Sequence, residues 1–213
     1  MIEQAHAHFG RLDVVINNAA LPLLGTVEEA CEDDVRSLLE TNFYGTLRVI
    51  KAALPILRHQ NGGHIIGVSS TLGIIAMPII GYYSMSKWAI ESLHESLAVE
   101  VKGFGIKVTI IEPGAYATEF GAGALRSQEM DVYGLLRQRF MESLSKMERG
   151  NPQATAAAVL RLVDAENPPL RFILGRHNLP AAKAAYAERL ATWEAWAAIS
   201  NAGQGESLRA NQN

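Results

Sequence analysis

Four runs of apolar residues are spaced along the chain, and each is followed by polar or backbone-shaping residues. The runs are rich in β-branched side chains and do not alternate with polar positions, which is typical of strands buried on both faces of a parallel sheet. The predicted strands lie within residues 12–20, 61–70, 106–114 and 170–175.

Segments with apolar residues three and four positions apart separate these runs and predict helices. The first helix ends at about residue 59, and the others cover about residues 82–105, 151–166 and 178–199. Strands that alternate with helices predict an α/β fold with a mainly parallel sheet. In such a fold the ligand lies beyond the carboxyl ends of the strands. The residues at the predicted strand ends are Asn17, Asn18, Ser69, Ser70, Pro113 and Gly114.

Three further segments complete the predicted organisation. Thr26 and Glu29 have the spacing of a capping box, which predicts the start of the first long helix. Residues 115–150 are less regular, with glycines first and a mixed helical pattern later. We assign residues 1–199 to a single domain and residues 200–213 to a polar tail, which is expected to be frayed.

The composition excludes several classes of protein. Of the 213 residues, 48% are hydrophobic, which is enough for one sizeable core, and the formal net charge is -3. The sequence lacks a basic patch of the kind that would indicate a nucleic-acid partner. The N-terminus lacks the pattern of a signal peptide, no apolar run is long enough to span a membrane, and Cys31 is the single cysteine. We therefore expect a cytoplasmic protein without a metal site.

Tyr83 and Lys87 are four residues apart, so a helix places both side chains on one face. A neighbouring ammonium group favours the phenolate and is expected to lower the pKa of the tyrosine from about 10. Such a tyrosine becomes a better acid–base group at neutral pH. Ser70, at the end of a strand, could hydrogen-bond an oxygen that gains negative charge. The three residues are suited to moving a proton to and from a carbonyl or alcohol oxygen.

These residues make the chain resemble the short-chain dehydrogenase/reductase family. The resemblance includes YSMSK with Ser70 before it, NNAA after the first strand, TNFYGT, and IEPGAYATEF after the third strand. The motifs occur in the order typical of the family and cover nearly the whole chain.

The resemblance implies a role for each of these positions. Tyr83 would be the catalytic acid or base, Lys87 would hold the nicotinamide ribose and lower the tyrosine pKa, and Ser70 would position the substrate oxygen. Asn42 would hold a water molecule in a proton relay. The cofactor would be held by Asn17, Ala19, Tyr83, Lys87, Pro113, Gly114 and Thr118. The segment from about Ala115 to Lys146 would cover the substrate.

The sequence departs from the family pattern at two places. Ala20 stands where the family usually has glycine, and its methyl group could crowd the backbone near the cofactor. No glycine-rich G-x-x-x-G-x-G segment precedes the first predicted strand. We therefore expect a Rossmann-type, doubly wound fold that lacks its first βαβαβ part and has an open edge at this strand. Either the sequence is an incomplete form of a longer enzyme, or the short chain has lost or changed function.

The residues and the resemblance together predict an oxidoreductase that interconverts a carbonyl and a secondary alcohol with NADP(H), slightly favoured over NAD(H). The helix through Asn42 and the helix after Tyr83 resemble those that pair subunits in this family, so the resemblance implies a homodimer or homotetramer. We expect no nucleic-acid or membrane partner. The alternative is a non-catalytic binding or oligomerisation module, or an inactive fragment. A hydrolase is a weaker alternative, because the sequence has no G-x-S-x-G nucleophile elbow.

Overall fold

The computed structural model describes residues 1–205. Its elements follow the predicted alternation of strands and helices. In chain order they are α1 (Ile2–Phe9), β1 (Val14–Asn17), β2 (Leu23–Leu24), α2 (Glu32–Leu39), a π-helical turn (Glu40–Gly45), α3 (Thr46–Gln60), β3 (Gly63–Val68), α4 (Gly81–Glu100), β4 (Ile106–Pro113), β5 (Leu125–Arg126), α5 (Gly134–Ser145), α6 (Thr155–Asp164), β6 (Arg171–Leu174) and α7 (Asn178–Ala202).

The main sheet has four parallel strands in the order β1-β3-β4-β6. Its register pairs Val15 with Ile65, Ile65 with Val108, and Ile111 with Phe172. All four strands run in the same direction, so their carboxyl ends meet at one edge of the sheet. The predicted α/β fold with a mainly parallel sheet is therefore confirmed. The two-residue strands β2 and β5 pair separately and were not predicted.

Helices cover both faces of this sheet, as in a doubly wound fold. On one face, Leu57 of α3 and Leu97 of α4 pack against Ile65 in the centre of the sheet. On the other face, Leu162 of α6 packs against Ile66 and Ile111. Because Ile65 and Ile66 point to opposite faces, the continuous apolar run of β3 is explained by burial on both sides.

The first strand differs from its prediction. We expected β1 to be buried on both faces, but the side chain of Ile16 is 46% exposed. Within residues 1–205, β1 pairs only with β3 and forms the edge of the sheet. The expected open edge is therefore present, and it explains why burial on both faces was wrong for this strand.

The ends of two helices also differ from their predictions. Thr26 and Glu29 form the reciprocal bonds of a capping box, with Thr26 N–H donating to Glu29 Oε2 at 2.8 Å and Glu29 N–H donating to Thr26 Oγ1 at 3.3 Å. These bonds close a turn, whereas α2 begins at Glu32 after Cys31. Helix α7 continues through Ala202, so the tail was placed three residues too early. Residues 206–213 lie outside the described part of the chain.

Within residues 1–205, no helix combines the length and the apolar character needed to cross a bilayer. In the same part of the chain, no three His, Cys, Asp or Glu side chains gather in a way that could hold a metal ion.

Candidate active site

The predicted site residues converge at the carboxyl edge of the sheet. Asn17 ends β1, Ser70 lies two residues beyond β3, and Pro113 ends β4. Helix α4 is placed against this edge by Lys87, whose Nζ donates a hydrogen bond to the carbonyl of Val68 at 2.7 Å. Val68 is the last residue of β3, so this bond fixes the helix to the strand that leads to Ser70.

Tyr83 lies in the first turn of α4 and is 6% exposed. Its ring packs edge-on against Phe120, with centroids 5.4 Å apart. Burial raises the pKa of the Tyr83 phenol to about 12, and the Ser70 side chain opposes this shift. The phenol is therefore protonated at neutral pH.

The expected effect of Lys87 on this tyrosine is not observed. Lys87 Nζ lies 5.6 Å from the centroid of the Tyr83 ring, and its hydrogen bond goes to the strand. The pKa of Tyr83 is raised, whereas the sequence led us to expect a lowered pKa. Removal of the phenol from water is the largest effect on this pKa, and the charge of Lys87 makes no contribution beside it.

Lys87 itself is almost completely buried, with 2% of its surface exposed. Burial lowers the pKa of its amine to about 8, while the negative charge of Glu91 acts in the opposite direction. Lys87 therefore titrates close to neutral pH.

Ser70 has an extended backbone and caps the short 3-10 turn at residues Thr71–Gly73. Its Oγ accepts the N–H of Leu72 at 3.1 Å. Because this bond uses only an acceptor lone pair, the hydroxyl proton can still be donated to a substrate oxygen.

Asn42 is buried in the π-helical turn between α2 and α3. Its Oδ1 accepts the N–H of Leu21 at 2.7 Å, and its Nδ2 donates to the carbonyl of Leu21 at 3.0 Å and to Ser86 Oγ at 2.9 Å. Both amide protons are thus used in holding the loop after β1 against α4. The role of Asn42 in a proton relay stays a prediction.

The remaining predicted cofactor residues lie along the same edge in different surroundings. Asn17 Nδ2 is buried and has no hydrogen-bond partner, so it fits a ligand that supplies an acceptor. Ala19 and Thr118 are exposed, and Thr118 Oγ1 accepts the N–H of Phe120 at 3.4 Å. The cofactor-binding roles of these residues and of Lys87 stay predictions.

Contacts within the protein partly explain why proline and glycine occupy positions 113 and 114. The carbonyl of Pro113 accepts the hydroxyl of Thr71 at 3.2 Å. A Cβ atom on Gly114 would lie 2.4 Å from Oδ1 of Asn178. The glycine is therefore required by the close approach of Asn178, which the sequence did not identify. Ala20 packs beside Leu23 in a small apolar cluster that includes Tyr83.

The loop between Ser70 and Tyr83 contains a strained residue. Ile79 has a φ of 68°, which is unfavourable for a β-branched side chain. Its carbonyl accepts the N–H of Gly25 at 2.8 Å, and its side chain is 3% exposed. Such strain persists where the surrounding packing enforces it, and it is often found next to functional sites.

The predicted covering segment is fastened to the loop after β1. Strand β5 pairs with β2, and Glu29 accepts the N–H of Met130 at 2.8 Å and a bond from Arg137 Nη2 at 2.6 Å. Tyr133 donates its hydroxyl proton to Glu28. Phe120, at the beginning of this segment, touches Tyr83.

The sequence analysis also did not identify three charged residues next to the site. Glu91 on α4, Glu112 on β4 and Arg171 on β6 form a largely buried cluster. The sequence carried one signal, because Glu112 is a charge inside the apolar run of a predicted strand.

Comparison with known proteins places this arrangement in a family. Residues 1–129 match the family model described as short chain dehydrogenase. The chain is 38% identical, over 82% of its length, to the 3-ketodihydrosphingosine reductase of Bacteroides thetaiotaomicron, and it spans 66% of that protein.

Two solved structures have the same fold. The chain superposes with a TM-score of 0.83 on a short-chain dehydrogenase from Streptomyces avermitilis, at 35% identity, with 94% of this chain and 74% of the other covered. It superposes with a TM-score of 0.70 on a short chain dehydrogenase from Burkholderia cenocepacia in complex with NADP, at 25% identity, with 91% and 72% covered.

Proposed function

The chain belongs to the short-chain dehydrogenase family of oxidoreductases, and on this basis we propose that it interconverts a carbonyl compound and a secondary alcohol with NADP(H) or NAD(H). The single observation that carries this proposal is the convergence of the buried Tyr83 and Lys87 with Ser70 at the carboxyl edge of the sheet.

Each residue of the proposed site has a defined task. Ser70 donates a hydrogen bond to the substrate oxygen, and Tyr83 donates its phenolic proton to the same oxygen when a carbonyl is reduced. When bound, the nicotinamide supplies or accepts the hydride, which protein side chains cannot do. Lys87 and the unpartnered amide of Asn17 would hold the cofactor. In the oxidative direction the alcohol proton returns to Tyr83.

Tyr83 is in the protonation state that carbonyl reduction requires. A phenol with a pKa of about 12 is protonated at neutral pH and can donate a proton to a carbonyl oxygen. We propose carbonyl reduction as the direction to test first. The name of the Bacteroides relative, a reductase of a keto compound, supports this direction. The NADP complex of the Burkholderia structure supports NADPH as the first cofactor to test.

Apolar residues on the outside of two helices support the proposed homodimer or homotetramer. Met85 and Trp88 of α4 are each 42% exposed, and Tyr44 in the π-helical turn is 46% exposed. A second copy of the chain would cover these side chains. Light scattering coupled to size-exclusion chromatography measures the mass directly, and a monomer at all concentrations would contradict this proposal.

The test of the function uses the purified chain. NADPH and then NADH are titrated while cofactor fluorescence is recorded, and cofactor consumption is measured with a panel of ketones that includes 3-ketodihydrosphingosine. Saturable binding and ketone-dependent consumption are expected. A folded chain that binds cofactor without turnover on any ketone favours a binding module, and a folded chain that binds neither cofactor contradicts the proposal.

A further inference from the structure

Two carboxyl groups lie close together next to the candidate site, and both contact the guanidinium group of Arg171. The side chains of Glu91 and Glu112 are 9% and 1% exposed. Arg171 Nε lies 3.3 Å from Glu91 Oε2 and 3.6 Å from Glu112 Oε1. The exposed Glu95 also contacts this guanidinium group, with its Oε2 2.8 Å from Arg171 Nη2.

The hydrogen bonds around this pair are too few for two ionised carboxylates. Glu91 Oε1 and both side-chain oxygens of Glu112 are buried without a hydrogen-bond partner. Two buried negative charges opposite one shared guanidinium would leave a large uncompensated desolvation cost. A proton held between the two groups removes one of the charges and lets one carboxyl group donate to the other.

The electrostatics of the cluster agree with this geometry. Burial, followed by the negative charge of Glu91, raises the pKa of Glu112 to about 7. Burial also raises the pKa of Glu91, while the charge of Arg171 acts against that rise. Oε2 of Glu91 accepts a hydrogen bond from Arg171, whereas neither oxygen of Glu112 has a hydrogen-bond partner, so Glu91 is the better place for the remaining negative charge.

Glu91 faces Lys87 across one turn of α4. The other groups around Lys87 offer it no negative charge: Tyr83 is a neutral phenol, and His94 is buried, so its pKa is lowered and its ring stays neutral. Glu95 contacts Arg171 on the exposed side of the cluster. Glu91 is the residue whose charge raises the Lys87 pKa against the effect of burial.

Glu91 also touches the loop that carries Ser70. A Cβ atom on Gly73 would lie 3.0 Å from Glu91 Oε1 and 2.4 Å from Ser69 Oγ. Ser69 Oγ in turn donates to the carbonyl of Lys87 at 3.5 Å. The carboxylate thus contacts the segment between β3 and α4, where Ser70 lies.

We propose that Glu91 is a positioning residue whose carboxylate keeps Lys87 in its ammonium form, while Glu112 retains the proton that the two buried carboxyl groups share. A single negative charge, held in place by Arg171, then faces the lysine. The consequence for catalysis rests on the proposed function, whereas the charge relationship between Glu91 and Lys87 does not.

The test measures the titration of Lys87 without cofactor or substrate. The chain contains six lysines, so an NMR spectrum of the carbon-13-labelled lysine side chains has few signals. The signal that disappears in Lys87→Arg is that of Lys87. The wild-type midpoint is expected near a pKa of about 8. Glu91→Gln, which keeps the shape and removes the charge, should lower that midpoint by roughly one unit.

Three further variants separate charge from structure. Glu91→Asp keeps the charge and should return the midpoint toward the wild-type value. Glu112→Gln should leave the midpoint close to wild type, because the charge that acts on Lys87 is that of Glu91. The same result is expected for Glu95→Gln on the exposed side of Arg171. A folded Glu91→Gln protein with an unchanged midpoint would overturn the role of Glu91.

A measurement on the wild-type chain covers the case in which Glu91→Gln does not fold. Carbon-13 labelling of glutamate side chains should show one carboxyl group of the pair titrating near neutral pH. If every glutamate is ionised by pH values near 5, the shared proton does not exist and the proposal fails.

The two proposals fail in different ways. If Lys87 responds to Glu91→Gln but the chain neither binds nor uses a nicotinamide cofactor, the proposed function is wrong and this inference stands. If the chain is an active reductase and the alkaline limb of its cofactor-binding pH profile is the same in Glu91→Gln, this inference is wrong and the function stands.

Discussion

The side-chain amide of Asn42 is bound to the backbone of Leu21 from both ends, with Oδ1 accepting the Leu21 N–H at 2.7 Å and Nδ2 donating to the Leu21 carbonyl at 3.0 Å. The second proton of Nδ2 goes to Ser86 Oγ on α4 at 2.9 Å. One buried amide therefore joins the π-helical turn, the loop after β1 and the helix that carries Tyr83.

Replacing Asn42 with alanine should destabilise the protein. The change leaves the half-buried N–H and carbonyl of Leu21 without their side-chain partner, which costs about 2–4 kcal/mol in the free energy of unfolding. Urea denaturation measures this loss. Ser86→Ala is the control: it removes one of the three bonds of Asn42, together with the bond that Ser86 Oγ donates to the Tyr83 carbonyl at 2.7 Å, and should cost about 1 kcal/mol. Equal losses in the two variants would contradict the bridging role of Asn42.

The sequence predicted the parts of this protein that depend on local pattern. The apolar runs located β1, β3, β4 and β6, and the four-residue spacing of Tyr83 and Lys87 placed both on one face of α4. Strands β2 and β5 have only two residues each, which is too short for any periodicity to be read.

The parts that failed depend on contacts between distant segments. The pKa of Tyr83 rises because Phe120 and the neighbouring cluster exclude water, and nothing local to α4 encodes that burial. The close approach of Asn178 to Gly114 was missed, because the two residues are 64 positions apart in the chain. The cofactor-binding role of Gly114 stays a prediction. Glu112 was the one missed residue with a local signal, because it lies in an apolar run.

Glu29→Gln should loosen the covering segment without unfolding the sheet. The N–H groups of Met130 and Thr26, together with Arg137, lower the pKa of Glu29 to about 2, so its carboxylate is ionised at neutral pH. A neutral amide loses the charge that holds Arg137. Hydrogen exchange followed by mass spectrometry should show faster exchange in residues 125–137 and unchanged exchange in β3 and β4.

Glu28→Gln is the control for this experiment, since Glu28 contacts the same segment only through the hydroxyl of Tyr133. It should produce a smaller increase in exchange. If Glu29→Gln leaves the covering segment as protected as in the wild type, Glu29 does not fasten it.

Glu112→Gln should change how stability depends on pH. The pKa of Glu112 is about 7 in the folded protein and near 4.5 in an unfolded chain. Between these values the folded state keeps a proton that the unfolded state has lost, so this group's contribution to stability falls as pH rises from about 4.5 through 7. Glutamine cannot lose a proton, and the variant should gain stability relative to the wild type across this window.

Urea denaturation at pH values on both sides of the window measures the difference. Burial lowers the pKa of His64 and His94, but both histidines are present in both proteins, so their contribution to the pH dependence cancels. A difference between variant and wild type that does not change with pH would show that Glu112 is ionised throughout.

The measurement that tests the central claim most directly compares Tyr83→Phe with the wild type in cofactor binding and in ketone-dependent NADPH consumption. The substitution removes only the phenolic oxygen and keeps the ring against Phe120. The account predicts nearly unchanged cofactor binding and a loss of turnover of roughly 10²–10⁴-fold, the usual size of a general acid's contribution. A folded Tyr83→Phe protein that consumes NADPH at close to the wild-type rate would contradict the assignment of Tyr83 as the proton donor.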